Sequence, residues 1–250
     1  MDRRSEGIGR ALAALPKVRA VALGGSRSAT HADARSDIDL YTFGDPAPPV
    51  DARAWLIEER RPSHVELDNQ WFGTGDEWIE PDGMAVDAMH WSARWIEDEV
   101  ANTIDHHRPK LGYTTAILYT LANCMVLHDP EGWLVSIQQR IERYPDELAQ
   151  AIIAHNLPLL AGTQHCFARQ IEVADERTDR VAYNHRVAAF LASAFDVLFA
   201  MNRRFHPGEK RLLDHAAKLD RVPVNFSSDV HALIAGEAAA AWRIAEALRH

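Results

Sequence analysis

The hydrophobic periodicity of the 250-residue sequence changes near residue 92. Before that point, short apolar runs alternate with polar residues, which is typical of half-buried strands. The predicted strands lie at residues 18–23, 36–43, 64–72, 77–80 and 84–89. Pro81-Asp82-Gly83 separates the last two and indicates a hairpin turn. With helical patterns at residues 4–15 and 51–60, this part of the chain predicts a small mixed sheet with helices.

Beyond residue 92, apolar residues recur every three or four positions, as in amphipathic helices. The predicted helices span residues 95–107, 114–128, 132–144, 147–173, 178–205 and 236–249. Pro158 is expected to break or kink the fourth, because proline lacks the N–H that a helix interior needs. The sequence thus predicts an α+β fold, with a mixed-sheet domain at residues 1–92 and an all-helical domain at residues 93–250. No flexible linker marks the boundary, so we expect the two to share a substrate cleft.

The charge, the cysteines and the apolar runs of the sequence bear on the protein's partners and its location. A net charge of -9 and a pI of about 5.8 argue against a nucleic-acid partner, since such proteins usually carry a basic face. Cys124 and Cys166 lie in apolar stretches and are expected to be buried thiols. The N-terminus lacks a signal-peptide pattern, and the longest apolar run, near residues 188–200, contains Asp196. We expect a cytoplasmic protein without membrane contact.

Two aspartates, Asp37 and Asp39, are spaced two residues apart in the predicted strand over residues 36–43. Side chains at i and i+2 of a strand point to the same face, so the carboxylates are expected side by side. Adjacent like charges are unfavourable unless a cation lies between them. Mg²⁺ or Mn²⁺ suits such oxygen ligands, and Mg²⁺ is often held by one or two carboxylates plus substrate phosphates. Asp37 and Asp39 are therefore predicted metal ligands.

A glycine turn, Gly24-Gly25-Ser26, directly follows the apolar run at residues 18–23. Glycine permits a tight turn and lets a phosphate approach the backbone. A helix that began at Ser26 or Arg27 would offer free N–H groups and a favourable dipole to phosphate oxygens. Arg27 or Arg35 can supply positive charge. The candidate nucleotide-binding residues of this segment are Gly25, Ser26, Arg27 and Ser36.

The segment as a whole resembles the signature of the nucleotidyltransferase superfamily, whose catalytic domain shares the fold of the DNA polymerase β catalytic domain. That signature is an apolar residue, Gly, and Gly or Ser, followed after a short gap by Asp-apolar-Asp-apolar. Leu23-Gly24-Gly25-Ser26 and Asp37-Ile38-Asp39-Leu40 match it. The resemblance implies transfer of a nucleoside monophosphate from an NTP, with ATP as the expected co-substrate, and release of pyrophosphate. The alternative is a glycine turn followed by an exposed acidic strand.

The resemblance also implies a third carboxylate on a later strand, as a metal ligand or as the base for the attacking hydroxyl. Asp87 is the prediction, because apolar residues flank it in the run at residues 84–89 and an unpaired buried aspartate would be unfavourable. A plain surface position in the hairpin is the alternative for Asp87. The other candidates for the third carboxylate are Glu66, Asp68 and Glu80.

A basic stretch follows the long apolar helix predicted at residues 178–205 and reads Asn202-Arg203-Arg204-Phe205-His206-Pro207-Gly208-Glu209-Lys210-Arg211. Its cations suit the β- and γ-phosphates of an NTP, and Lys210 is the predicted ligand. The stretch is similar to the helical region of small-molecule nucleotidyltransferases, including aminoglycoside- and lincosamide-modifying enzymes, and to runs in other bacterial members of the superfamily. Stabilisation of a helix C-terminus is the alternative role.

The predicted function is therefore Mg²⁺-dependent transfer of an NMP, expected to be AMP, to a hydroxyl of a small molecule. The acidity of the chain favours a cationic acceptor such as an aminoglycoside-like antibiotic. A monomer and a homodimer both stay open. Two alternative functions also stay open: NMP transfer to protein or RNA, and a non-catalytic nucleotide-binding or antitoxin-like module.

Overall fold

The computed structural model describes residues 3–25, 37–71 and 73–249, and it confirms the α+β fold class. The strands of the described part are β1 (Val18–Leu23), β2 (Ile38–Gly44), β3 (His64–Asn69), β4 (Gly75–Ile79), β5 (Ala85–Ser92) and β6 (Met125–His128). They form one sheet in the order β3-β4-β5-β2-β1-β6. The central β2 and β5 run parallel, and every other neighbouring pair in this order is antiparallel. The sheet is therefore mixed, as predicted.

The helices of the described part follow the strands in chain order as α1 (Arg3–Ala13), α2 (Val50–Glu58), α3 (Ala93–Val100), α4 (Ala116–Asn123), α5 (Trp133–Arg140), α6 (Asp146–Ala161), α7 (Phe167–Glu176), α8 (Arg180–Met201), α9 (Leu212–Ala216), α10 (Phe226–Ile234) and α11 (Ala239–Ala247). One π-helical segment, Ala101–Asp105, continues α3. No described helix is both long enough and apolar enough to cross a lipid bilayer.

The chain divides into two compact units. The first comprises Met1–Val100 and Thr120–Glu142, and the second comprises Ala101–Tyr119 and Arg143–His250. The units thus interleave along the sequence, whereas the predicted domains at residues 1–92 and 93–250 are contiguous. The chain leaves the first unit after Val100 and returns to it to add β6 and α5.

The two faces of the sheet have different environments, which follow from the alternation of side chains along each strand. Ile38, Leu40, Val86 and Ala88 are fully buried and pack with α1 and α2 in one apolar cluster. The intervening residues of β2 and β5 point the other way, and among them Asp39 and Asp87 are half-buried. The apolar face therefore anchors the two central strands, and the opposite face carries Asp39 and Asp87.

The second unit is built around the 22-residue helix α8. Its core includes Phe190, Phe195 and Leu198 of α8, which pack with residues of α7, α10 and α11. The N-cap Asp179 accepts a hydrogen bond from the Ala182 N–H at 3.0 Å. This is the usual way in which an aspartate satisfies a free donor at a helix start.

Two predicted helices differ from the structure. The pattern at residues 114–128 continues past α4, but Met125–His128 is the edge strand β6, because it pairs with β1 and so satisfies its backbone groups in the sheet. The prediction at residues 147–173 becomes α6 and α7, which are separated around Gly162. Pro158 lies inside α6, three residues before its end, and therefore does not end the helix there.

Candidate active site

Asp39 and Asp87 are direct partners on the two central parallel strands β2 and β5. Neighbouring strands lie about 4.8 Å apart, and partner residues present their side chains on the same face. The structure thus brings together two carboxylates that are 48 positions apart in the sequence. Asp37 lies one residue before β2 and is exposed. Two adjacent half-buried carboxylates repel each other unless a cation or a proton compensates them.

The carboxylate row continues across the sheet. Glu77 on β4 is the partner of Asp87, and Glu66 on β3 is the partner of Glu77. Both glutamates are exposed, and Glu77 accepts a hydrogen bond from Asn69 at 3.2 Å. Glu66, one of the candidates for the third carboxylate, therefore lies in the same row as Asp39, but two strands beyond Asp87.

The two remaining candidates for the third carboxylate are held in ion pairs. Asp68 contacts the Arg53 guanidinium at 2.8 Å. Glu80 accepts hydrogen bonds from Arg60 and from the Trp78 indole, both at 2.7 Å. Burial alone would raise the pKa of Glu80, but these two donors hold it below its usual range. Among the four candidates, Asp87 is the one that is paired in register with Asp39.

The glycine turn lies directly against the carboxylate of Asp39. The Gly24 N–H donates to the Asp39 carbonyl oxygen at 2.8 Å, which extends the pairing of β1 with β2. A Cβ atom at Gly25 would overlap the Asp39 carboxylate, and the φ angle of Gly25 is +60°. Only glycine satisfies both constraints without strain. The close approach leaves backbone rather than side chain next to the Asp39 carboxylate.

Tyr41 is a neighbour of the carboxylates that the sequence did not indicate. Burial raises the pKa of its phenol, and the charges of Asp39 and Asp87 raise it further. The ring centroid lies 4.6 Å from that of Trp91, and Trp91 in turn contacts Trp95 at 5.7 Å. A neutral phenol thus stands beside the carboxylates, with half-exposed aromatic rings next to it. The alternation of residues 36–43 in the sequence places Tyr41 two positions after Asp39, and therefore on the same strand face. This pattern could have indicated Tyr41 as a neighbour of the carboxylates.

A buried polar network lies on the opposite face of the same strands. The Thr42 hydroxyl and His90 Nδ1 are 2.7 Å apart, and His90 Nε2 lies 2.9 Å from Asp76 Oδ2. The Arg53 guanidinium donates to Asp76 Oδ1 at 2.5 Å. Burial would raise the pKa of Asp76, but the hydrogen bond from His90 and the Arg53 charge lower it. Because Thr42 and His90 are partners in register, the network links β2 to β5 three residues beyond Asp39 and Asp87.

The predicted ligand Lys210 belongs to the second unit, where it is exposed. It lies between Gly208 and Arg211, which both have positive φ angles. His206 fixes this loop: its N–H donates to the Thr115 hydroxyl at 2.8 Å, and its Nδ1 accepts from the Gly208 N–H at 3.1 Å. Lys210 makes no ion pair with the part of the chain that the structure describes.

The loop at residues 206–211 lies next to a group of buried polar residues in the same unit. Thr114 donates to both carboxylate oxygens of Asp196, at 3.1 Å from its N–H and 2.6 Å from its hydroxyl. Burial nevertheless raises the pKa of Asp196 to about 6. Burial lowers the pKa of His206 to about 4, so its imidazole is neutral near pH 7. With Nδ1 accepting, the proton resides on Nε2, which has no hydrogen-bond partner among the described residues.

Three of the predicted nucleotide-binding residues, Ser26, Arg27 and Ser36, lie outside the described residues, as does most of the predicted phosphate cradle. Within the described ranges, no set of three or more His, Cys, Asp or Glu side chains is gathered closely enough to hold a metal ion. Asp39 and Asp87 alone still fit Mg²⁺ by their chemistry, because this ion commonly takes one or two carboxylates together with substrate phosphates.

Comparisons with known proteins gave a family match over part of the chain and similar solved structures. A family model described as Domain of unknown function (DUF4037) matches residues 111–212. A nucleotidyltransferase-like protein from Exiguobacterium sibiricum is similar over 98% of this chain and 73% of its own, at 9% identity and a TM-score of 0.48. An aminoglycoside 6-adenyltransferase from Bacillus subtilis is similar over 98% of this chain and 88% of its own, at 11% identity and a TM-score of 0.27.

A search among curated proteins gave no significant match. At the identities and TM-scores of the two solved structures, neither likeness establishes a family or an activity for this chain.

Proposed function

We propose that the chain is a Mg²⁺-dependent nucleotidyltransferase that moves an NMP, AMP in the first instance, from an NTP to a hydroxyl group of a small molecule. The observation that supports this most directly is the pairing of Asp39 with Asp87 on adjacent parallel strands, with Gly25 against the Asp39 carboxylate. A sequence motif could match by chance. The same motif folded next to a second carboxylate and an open backbone turn is a more specific arrangement.

Each residue has a defined task in this proposal. Asp39 and Asp87, with Asp37 beside them, hold the divalent cation, which when bound neutralises phosphate charge and orients the reacting oxygens. The turn at Gly24-Gly25 accommodates the triphosphate close to the backbone, and Lys210 pairs with its β- and γ-phosphates. The acceptor oxygen forms a bond to the α-phosphorus while the bond to the β-phosphate oxygen breaks. Asp87 is the candidate to take the acceptor proton, and pyrophosphate leaves.

The acceptor is proposed to be cationic. Glu77 and Glu66 extend the carboxylate row away from Asp87 on the same face, and both are exposed. A net charge of -9 adds to the attraction for a cation. An aminoglycoside-like polyamine sugar carries both the positive charges and the hydroxyl groups that such a site would use.

Label transfer tests the proposal. The purified chain is incubated with each α-³²P-labelled NTP and Mg²⁺, together with aminoglycosides, lincosamides, bulk tRNA or lysate protein. We expect label on a small-molecule acceptor, and we expect EDTA to prevent its appearance. Label on tRNA or protein would preserve the chemistry and refute the small-molecule acceptor. Absence of label from every acceptor, with pyrophosphate release also absent, would count against the activity itself.

Two variants separate the site from general damage. Asp39→Asn should reduce transfer by about a thousandfold, since a charge that acts on the reacting phosphates is lost. Asp98→Asn removes a carboxylate from an exposed position of α3 and should leave the rate unchanged. Equal transfer by Asp39→Asn and the unaltered chain would overturn the proposed role of Asp39.

A further inference from the structure

A groove of about 540 Å³ lies along the second unit, between α7 and the first turns of α8. The loop before α7 contributes Gln164 and His165. Arg169 and Arg177 line the groove from α7 and its C-cap, and Arg186 lines it from α8. All of these residues belong to one compact unit, so the groove does not depend on the first unit.

Two of the three arginines in the groove have no acidic partner. Arg169 is neutralised by Glu172 at 2.6 Å and Glu176 at 3.5 Å. Arg177 and Arg186 are exposed, and neither forms an ion pair with any residue that the structure describes. Asp179 is the acidic residue of the lining. One oxygen of its carboxylate is already used to cap α8.

The groove therefore combines positive charge with an apolar floor. Val173, Ala174 and Ala182 form that floor, and the amides of Gln164 and Gln170 lie among the polar lining. Guanidinium groups match the oxygens of a phosphate with two parallel hydrogen bonds. The N-terminus of α8 adds the positive end of a helix dipole. The volume lies in the range of sites that hold small molecules.

We propose that this groove binds a phosphate-bearing small molecule of nucleotide size, with Arg177 and Arg186 as the phosphate ligands. The floor would contact the non-phosphate part of the ligand, and the glutamine amides would hydrogen-bond its polar edge. The groove contains none of the carboxylates at Asp37, Asp39 and Asp87. Ligand binding in this groove is therefore independent of the proposed transferase activity.

Calorimetric titration of the full chain in EDTA tests it, because EDTA removes the divalent cation on which the carboxylate site depends. The probes are inorganic phosphate, pyrophosphate and AMP, each titrated separately at low ionic strength. We expect saturable binding, weakened at least about tenfold in the double variant Arg177→Gln/Arg186→Gln, because two charge-assisted contacts are lost. Tighter binding of AMP than of pyrophosphate would assign a nucleotide as the ligand. Equal binding would assign the phosphoryl group as the recognised element.

The control double variant Arg143→Gln/Arg221→Gln removes the same charge from exposed positions of the same unit and should bind as the unaltered chain does. Asp39→Asn should also bind unchanged. Thermal melting of each variant verifies that it is folded. Two results would overturn the proposal: no saturable binding of any probe, or equal weakening in both double variants.

Discussion

Thr42 and His90 are hydrogen-bonded partners on β2 and β5, three residues beyond the partners Asp39 and Asp87 on the same two strands. The two pairs lie on opposite faces, because they are offset by three positions along each strand and side chains alternate between the faces. A one-residue slip between β2 and β5 would therefore separate both pairs at once. The buried network and the apolar face fix the register that places the two carboxylates side by side.

Replacement of Gly25 by alanine should abolish NMP transfer. The added Cβ would overlap the Asp39 carboxylate, and the left-handed backbone would destabilise the fold by about 1–2 kcal/mol. Gly83→Ala is a matched control, because Gly83 has a φ of +89° but open space around it. The control should lose similar stability and keep its activity, as measured by urea unfolding and label transfer. Retention of transfer by Gly25→Ala would contradict the close approach at Asp39.

Replacement of Arg53 by methionine should destabilise the fold by about 3–5 kcal/mol, because it leaves the buried Asp76 without its cation. Arg19→Met is the comparison: Arg19 pairs with Glu97 at 3.3 Å and Glu131 at 3.0 Å, but all three side chains are substantially exposed. That loss should be about 1 kcal/mol or less. Urea unfolding measures both values. Similar losses in the two variants would show that the buried network is not a major source of stability.

Asp196 and His206 should have opposite effects on stability in acid. Between about pH 4 and about pH 6, the folded chain holds a proton on Asp196 that the unfolded chain releases, and lacks one on His206 that the unfolded chain binds. As pH falls through this window, the Asp196 contribution therefore rises and the His206 contribution falls. Asp196→Asn removes the compensating group and should lose more stability than the unaltered chain between pH 6.5 and pH 4.5, measured by urea unfolding at each pH. Parallel pH profiles for the two proteins would rule out this compensation.

Lys210→Ala tests whether the basic stretch at residues 202–211 contacts the nucleotide. This prediction rests on the proposed function. Removal of one phosphate contact should raise the KM for the NTP about tenfold, with a smaller effect on kcat. Lys218→Ala removes an equally exposed lysine from the same unit and should leave both constants unchanged. If the two variants behave alike, the loop does not contact the nucleotide.

The strand pattern of residues 18–92 predicts most of the sheet, because alternation and turn residues act locally. The parallel pairing of β2 with β5 and the antiparallel pairing of β6 with β1 are long-range contacts, and no local pattern encodes them. Met125–His128 was predicted as helix for this reason, since its apolar residues fit either structure.

In the candidate site, too, the sequence predicts the features that depend on local pattern and misses those that depend on long-range contacts. Asp37, Asp39 and the glycine turn form one contiguous motif, and Asp87 follows from its apolar neighbours. The register of Asp87 with Asp39 and the network of Thr42, His90, Asp76 and Arg53 depend on tertiary contacts. The predicted roles of Ser26, Arg27 and Ser36 stay predictions, because these residues lie outside the described ranges.

The interleaving of the two units has a consequence for biosynthesis. When a nascent chain has emerged from the ribosome as far as residue 92, strands β1 to β5 are available for pairing. Strand β6 becomes available only when Met125–His128 has emerged. Until then, β1 presents unpaired backbone groups at the edge of the sheet, where another nascent chain can pair with them. Asp37, Asp39 and Asp87 are therefore synthesised before β6, and the sheet that holds them is completed only after part of the second unit has been made.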